Sequence, residues 1–188
     1  MKEIEVKILE VNRKKLEKKL IKLGAKKTFD GELSAIFFDF KDKSIRKNKN
    51  TVRLRKEGEK AILTFKKFVK NHKVKVRQEF EVNVSDFETA KKIIEGLGLK
   101  EFLKMKKRRV SYEIKGTKFE FDKNIGEYSV IPEFLEIEAK DAATIYKYAK
   151  KLGFKKKDCK PWSAKELKEY YSKQDLKTPQ EKQHTWTR

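Results

Sequence analysis

Hydrophobic and charged residues alternate one for one along several short stretches of this chain, and elsewhere apolar residues recur every third or fourth position. The first pattern predicts β-strands with two chemically different faces, and the second predicts amphipathic helices. Glu3-Ile4-Glu5-Val6-Lys7-Ile8 is the first strand. A helix follows with Asn12 as its N-cap and Leu16, Leu20 and Leu23 on one side, stopped by Gly24. Residues 34–40 are aromatic enough to form a strand. Residues 51–55 and 61–66 form a hairpin about the turn Lys56-Glu57-Gly58-Glu59-Lys60, and a turn at Asn71 and His72 leads to a strand over 74–82.

Ser85 and Glu88 make a capping box for a helix with its apolar stripe at Phe87, Ala90, Ile93, Ile94 and Leu97. Two further strands, 107–114 and 118–122, flank a turn at Lys115-Gly116-Thr117, and a last strand spans 134–139. A helix runs from Asp141 through Ile145, Ala149 and Leu152 to Gly153, and Ser163 with Glu166 caps a short one carrying Leu167, Tyr170 and Tyr171. From Ser172 onward apolar residues thin out, so residues 172–188 are expected to be a mobile polar tail on a domain of residues 1–171.

Three times a Glu-x-Glu strand runs into a capped helix that closes on Leu-Gly, at residues 3–24, 79–98 and 136–153. The unequal spacing excludes a solenoid and favours a pseudo-symmetric barrel of mostly antiparallel strands. Sorting the strands by parity places Ile4, Val6, Leu54, Phe65, Phe80, Val82, Phe119, Phe121, Leu135 and Ile137 on the faces that the helices should cover. The opposite faces carry Glu3, Glu5, Lys7, Arg53, Arg55, Lys66, Arg77, Glu79, Glu81, Lys107, Arg109, Glu120, Asp122, Glu136 and Glu138. Lys106 and Arg108 fall on the outer side. With helices on one side, the charged side is either a flat solvated surface with weak cross-strand ion pairs or the lumen of a closed barrel.

Composition narrows the chemistry. The chain has 188 residues, of which 42% are charged and 37% hydrophobic, with a formal net charge of +21. Such a charge favours phosphate-rich partners and says nothing of fold. One cysteine, Cys159, and two histidines, His72 and His184, exclude a disulfide framework and a thiolate or imidazole metal cluster. Any metal must therefore be a hard cation on carboxylates, Mg²⁺ or Mn²⁺. The absence of a long apolar run or a leader-like segment before Glu3 points to a cytoplasmic protein with no membrane partner. Trp162 is expected to pack rather than stack on a ligand, and Cys159 to be inert.

A closed lumen with this many ions is costly unless the ions are paired or bound to something. Arginine forks and lysine ammoniums neutralise phosphate oxygens, while paired carboxylates hold a divalent ion that bridges them. One phosphate does not need so many cations, but a triphosphate does.

At these residues the chain resembles the CYTH superfamily, the triphosphate tunnel metalloenzymes, which include class IV adenylyl cyclases and thiamine triphosphatases. The resemblance lies in Glu3-x-Glu5-x-Lys7, Val52-Arg53-Leu54-Arg55, Leu63-Thr64-Phe65-Lys66, Arg77-x-Glu79-x-Glu81, Lys107-x-Arg109, Asp122 and Phe134-Leu135-Glu136-Ile137-Glu138, in the family's order. Two departures bear on the subfamily. Ala35 stands where an Asp is common, and Ser129-Val130-Ile131-Pro132-Glu133 replaces a glycine-rich segment.

The resemblance implies an α+β fold, a closed antiparallel eight-stranded β-barrel with amphipathic helices outside. It implies Glu3, Glu5, Glu136 and Glu138 as metal ligands or their supports, with Glu81 and Asp122 nearby, and Lys7, Arg53, Arg55, Lys66, Arg77, Lys107 and Arg109 as phosphate binders. It also implies Glu5, Lys66 and Asp122 as the catalytic residues. The expected activity is Mg²⁺- or Mn²⁺-dependent hydrolysis of a P–O–P bond of inorganic triphosphate, ATP or thiamine triphosphate. The alternatives are cyclisation of ATP to cyclic AMP and pyrophosphate, and non-catalytic binding of RNA or polyphosphate. Nucleic acid is the disfavoured partner because the carboxylates repel it, and a homodimer is compatible with the sequence.

Overall fold

The alternating stretches pair edge to edge until the sheet meets itself. In the computed structural model, which describes residues 2–69 and 75–175, the strands are β1 (Lys2–Ile8), β2 (Lys26–Asp39), β3 (Thr51–Glu57), β4 (Lys60–Val69), β5 (Lys75–Val84), β6 (Lys100–Ile114), β7 (Thr117–Ile125) and β8 (Phe134–Ala139). They close into one antiparallel barrel in the order β1-β5-β4-β3-β2-β6-β7-β8. The helices are α1 (Arg13–Lys22), α2 (Ser44–Lys47), α3 (Phe87–Gly96), α4 (Ala142–Leu152) and α5 (Ala164–Asp175). The turn at Asn71 and His72, the side chain of Glu3, and residues 176–188 with His184 lie outside the described residues. Residues 172–175, expected to begin the tail, continue α5.

The expected α+β barrel is present, with three differences in detail. First, β2 and β6 begin well before the predicted Ser34 and Lys107. Their leading halves are largely solvent-facing and polar, so hydropathy does not mark them, yet they pair with each other from Lys26↔Glu113 to Asp39↔Lys100. Second, α3 is capped by Asp86 rather than Ser85: its Oδ1 accepts from the Thr89 N–H at 2.7 Å. Either residue type can cap, and here the helix starts one position later. Asn12 and Asp141 cap α1 and α4, and the Ser163–Glu166 box forms with both reciprocal bonds. The helices of the three repeat units end at Gly24, Gly98 and Gly153, all at positive φ, which turns the chain without a Cβ penalty.

The third difference concerns cover. α1 and α4 bury Ile8, Leu16, Leu20, Phe119, Leu135, Ile137, Ile145 and Leu152 against the outside of β1, β8 and β7. A second cluster joins Phe38 and Leu54 to Ala90 and Ile94 of α3, and a third joins Phe134 and Ile131 to Leu167 and Tyr171 of α5. Phe80 and Val82 point outward as parity requires but are 53% and 55% exposed. α3 packs on β3, β4 and β6 and reaches Val84 at the end of β5, and Val76 joins the main core, so the outer face of β5 is open only around Phe80 and Val82. Phe119→Ala is therefore expected to cost about 3–5 kcal/mol of stability and Phe80→Ala under about 1 kcal/mol. Denaturant unfolding checks this, and equal losses would mean that the β5 face is covered in solution.

Candidate active site

The charged side chains that parity places inward, Glu3 aside, line one open-ended cavity of about 1930 Å³. These are Glu5 and Lys7 on β1, Arg53 and Arg55 on β3, Lys66 on β4, and Arg77, Glu79 and Glu81 on β5. Lys107 and Arg109 on β6, Glu120 and Asp122 on β7, and Glu136 and Glu138 on β8 complete the set. Lys106 and Arg108 face out and pair with Glu32 and Asp30. Trp162 packs on Tyr170 with ring centroids 5.1 Å apart, as expected. Cys159 is buried, and burial raises its thiol pKa, which leaves little reactive thiolate.

The barrel order brings the three Glu-x-Glu strands together as β8-β1-β5. Register then separates their roles. Glu138 lies across from Glu5 and Glu136 across from Lys7, but β5 is displaced so that Arg77 opposes Glu3. Glu79 and Glu81 are thereby carried towards β4, opposite Lys66 and Thr64.

Three charge clusters result. In the first, the Lys7 ammonium sits 3.1 Å from Glu5 and 2.8 Å from Glu136. Burial alone would lower the Lys7 pKa, but Glu136 and Glu5 outweigh it and raise it. Burial, then the facing Glu5 carboxylate, pushes the Glu136 carboxyl up to about 7. In the second, Arg53 lies between Glu79 (3.8 Å) and Glu81 (3.9 Å), Arg55 reaches Glu57 (3.3 Å) and Glu81 (3.8 Å), and Lys66 meets Glu79 at 3.2 Å. Thr64 Oγ1 accepts from Arg53 and donates to Glu81. These ion-pair distances are long for guanidinium–carboxylate contacts, and the buried Nε atoms of both Arg53 and Arg55 have no hydrogen-bond acceptor. Burial, then the adjacent Arg55, lowers the Arg53 pKa.

The third cluster is closed. Asp122 is fully buried and takes both Arg109 Nε and Nη2 at 2.6 Å and Lys107 Nζ at 2.5 Å, while Arg109 also pairs with Glu120. Burial opposes ionisation of Asp122, yet Arg109 and Lys107 hold its pKa down to about 2. Its oxygens accept from these two cations and hold both side chains in place. Glu81 likewise belongs to the arginine cluster. In the ligand-free structure Asp122 and Glu81, expected near the metal-binding glutamates, are engaged by the cations of β6 and β3.

Among the described residues no three carboxylates converge into a cage for an ion. The Glu5–Glu136 pair nonetheless fits a divalent cation: two buried carboxyls interact closely enough to raise one of them, and a cation relieves that repulsion. Magnesium in particular is commonly held by one or two carboxylates and completes its shell with substrate phosphates and water. Glu138, opposite Glu5, is the next donor in register.

Sequence reading missed part of the lining. Lys118, Ser111 and Asn124 are inward by the same parity and were legible. Phe37, Leu103 and Met105, which make an uncharged wall on β2 and β6, were not, because an apolar residue facing inward looks like one facing a helix. Asp122→Asn is expected to destabilise the fold by about 3–5 kcal/mol, since it leaves two buried cations undercompensated. Glu81→Gln, on a side chain 41% exposed, is expected to cost under about 1 kcal/mol. Thermal unfolding of both variants measures the difference.

The CYTH domain model matches residues 1–171 of this chain. A Methanocaldococcus jannaschii protein named as a putative adenylate cyclase is 30% identical over 139 residues, which is 72% of this chain and 75% of that one. A solved structure from Pyrococcus horikoshii superposes with a TM-score of 0.71 at 28% identity, covering 88% of this chain and 98% of that one. One from Pyrococcus furiosus does so with a TM-score of 0.70 at 25% identity, covering 88% and 99%. With this match over most of its length and a charged tunnel at its centre, the chain belongs to the CYTH family.

Proposed function

We propose that the tunnel binds the triphosphate of its substrate and that the protein hydrolyses a P–O–P bond there with a divalent cation. The observation that carries this reading is the cluster of Arg53 and Arg55, half-buried guanidinium groups whose buried Nε donors their own carboxylates do not fill. A buried donor without an acceptor is costly, and phosphate oxygens supply acceptors at guanidinium geometry. Lys66 and Arg77 adjoin this cluster, and Lys107 and Arg109 extend the cationic lining on β6.

Phosphoryl transfer asks the protein mainly for position and charge. Arg53, Arg55 and Arg77 orient the chain of phosphates. Asp122 holds Lys107 and Arg109 in place through its three hydrogen bonds. Lys66 neutralises charge on the departing phosphate oxygen. Glu5, Glu136 and Glu138 would hold Mg²⁺ or Mn²⁺, which supplies Lewis-acid polarisation of the phosphoryl group when bound.

A second reading keeps the binding mode and has the ribose 3′-hydroxyl attack the α-phosphorus, giving cyclic AMP and pyrophosphate. The name of the Methanocaldococcus jannaschii relative favours it. Purified protein supplied with inorganic triphosphate, ATP and thiamine triphosphate, under Mg²⁺ and then Mn²⁺, separates the two by phosphorus NMR of the products. Orthophosphate is expected; cyclic AMP with pyrophosphate selects the second reading. No turnover of any of the three, together with RNA binding that survives Glu5→Gln, would overturn both.

Two further outcomes follow. Arg53→Ala is expected to weaken triphosphate binding about ten- to a hundredfold, the scale of one or two lost charge-assisted hydrogen bonds, and the surface variant Lys18→Ala to leave it unchanged. Chelation with EDTA is expected to abolish turnover, and Glu5→Gln to raise the Mg²⁺ concentration needed for half-maximal activity. Turnover that persists in EDTA would remove the metal from the mechanism.

A further inference from the structure

The outer helices differ in how their lysines are matched. α3 carries both signs, and its Lys91 pairs with Glu95 (3.8 Å) and with Glu101 on β6 (3.7 Å). α5 is similar, with Lys165 beside Glu169 at 3.7 Å. On α1 the acidic residue is Glu17, which is met by Arg13 (3.8 Å) and by the Tyr112 hydroxyl (3.3 Å). α4 has no acidic residue, and its N-cap Asp141 accepts from the Thr144 N–H and hydroxyl. Lys14, Lys15, Lys18 and Lys22 of α1 and Lys147 and Lys150 of α4 are exposed, and among the described residues none of them forms an ion pair.

These lysines belong to one face. Lys19 Nζ donates to the Leu152 carbonyl at 2.5 Å, so the last turns of α1 and α4 lie side by side. The turn after α4 folds back over it, with Lys156 Nζ 5.0 Å from the centroid of the Tyr146 ring, and adds the exposed Lys155 and Lys157. Along α1, Lys14, Lys18 and Lys22 form a row with a spacing of about 6 Å. Cations in a last turn complement the helix dipole, which accounts for Lys22 and Lys150. It does not account for Lys14 and Lys15: they stand in the first turn of α1, where the dipole opposes them and no acidic residue offsets them. Like charges four residues apart also destabilise a helix. The row is unfavourable for α1 by itself, and an anion lying along it removes the penalty.

The carboxylates that would repel a nucleic acid line the lumen, on the other side of the barrel wall from these helices. Ammonium groups are point charges, suited to phosphates and not to reading base edges. The face offers no free ring on which single-stranded bases could stack, since Tyr148 is buried and Tyr146 lies under Lys156. It has little to insert into a membrane either: Leu16, Leu20, Ile145 and Leu152 are buried in the core, which leaves Ile21 as the exposed large apolar residue of the two helices. A duplex keeps its bases inside and presents one charge per about 1.7 Å of axis. We propose that the face of α1 and α4 is a second binding site, separate from the tunnel, that docks double-stranded nucleic acid through its phosphodiester backbone without reading its sequence. This site does not depend on which reaction the tunnel performs.

Equilibrium binding of a short duplex, prepared as RNA and as DNA, tests this. The two are expected to bind within about fivefold of each other, and a shuffled sequence to bind as well as the original. The triple variant Lys14→Gln, Lys18→Gln, Lys22→Gln is expected to weaken both at least about tenfold. It should also flatten the slope of log affinity against log salt for DNA by about two to three, since each phosphate contact contributes about 0.9. A control variant, Lys67→Gln, Lys92→Gln, Lys100→Gln, removes the same charge from exposed positions on β4, α3 and β6 and is expected to change affinity less than about twofold. All six positions are exposed, and an unchanged melting temperature verifies the fold of each variant. Inorganic triphosphate with Mg²⁺, at constant ionic strength, is expected to leave the duplex bound. Equal losses from the two triple variants would reduce the binding to net charge and overturn the site. Displacement of the duplex by triphosphate would overturn it too, by moving the binding to the tunnel. So would preference for a single strand, for long-chain polyphosphate or for phosphatidylserine vesicles over the duplex, and so would failure of the wild-type protein to bind either duplex.

Discussion

The constraint on which the rest of this structure depends is the enclosure of charge. A strand that alternates apolar and ionic residues can bury its apolar side under a helix at no electrostatic cost, but closing eight such strands forces the ionic sides to face one another. Ions in an enclosed space must be matched, because the loss of hydration exceeds what imperfect pairing returns. The barrel meets this by register. β5 is set so that Glu79 and Glu81 fall opposite Lys66 and Thr64, β7 so that Asp122 falls opposite Arg109, and β8 so that Glu136 falls opposite Lys7. A one-residue slip in any of these ladders would turn the ions outward and the helix-facing apolar side chains into the lumen. The same charges that make the site therefore also specify the pairing of the strands.

Much of this was legible in the sequence for a simple reason: period-two alternation reports which side a residue is on. Val52-Arg53-Leu54-Arg55 and Phe134-Leu135-Glu136-Ile137-Glu138 needed no partner to be read correctly, and neither did the outward placement of Lys106 and Arg108. Alternation does not report who stands opposite. That Asp122 serves Arg109 and Lys107, and that Glu81 serves the arginines of β3, follows from strand order and register, which pair residues far apart in the chain. Hydropathy also assumes that apolar means helix-facing. It therefore passed over Leu103 and Met105, which are apolar and inward, and it assigned a helix to cover Phe80 and Val82, which have none. Asp39 shows a third limit: it accepts from the Ile45 N–H and from Arg46 Nε of the short helix that follows it, a role that its own strand does not reveal.

The clusters differ in how completely they are matched, and the difference separates structure from function. Around Asp122 the donors of Arg109 and Lys107 make short contacts, and such a unit is matched without a ligand. Around Arg53 and Arg55 the ion pairs are longer and two buried Nε donors are left over. An incompletely matched cluster is a site of lower stability, tolerated where a ligand completes it. The Glu5–Lys7–Glu136 cluster has the opposite excess: carboxylate in surplus over a single ammonium, so that one carboxyl sits close to neutrality. A surplus of donors on one wall and of carboxylate on another is the arrangement that an anion with its own cation would satisfy together.

The electrostatics outside the barrel act at longer range. Within the lumen cations and carboxylates occur in comparable numbers, so the large formal charge of +21 must be carried mainly elsewhere in the chain. α1 presents Lys14, Lys15, Lys18 and Lys22 to solvent, and α4 presents Lys147, Lys150 and Lys151. A positive exterior draws a polyanion towards the molecule without contributing to recognition, and salt screens it beyond about 10 Å. The half-buried cluster of Arg53 and Arg55 is screened less. Attraction and recognition thus fall to different residues at different depths, and rising ionic strength would act first on the rate at which a polyanion reaches the mouth, and less on the contacts it would make inside.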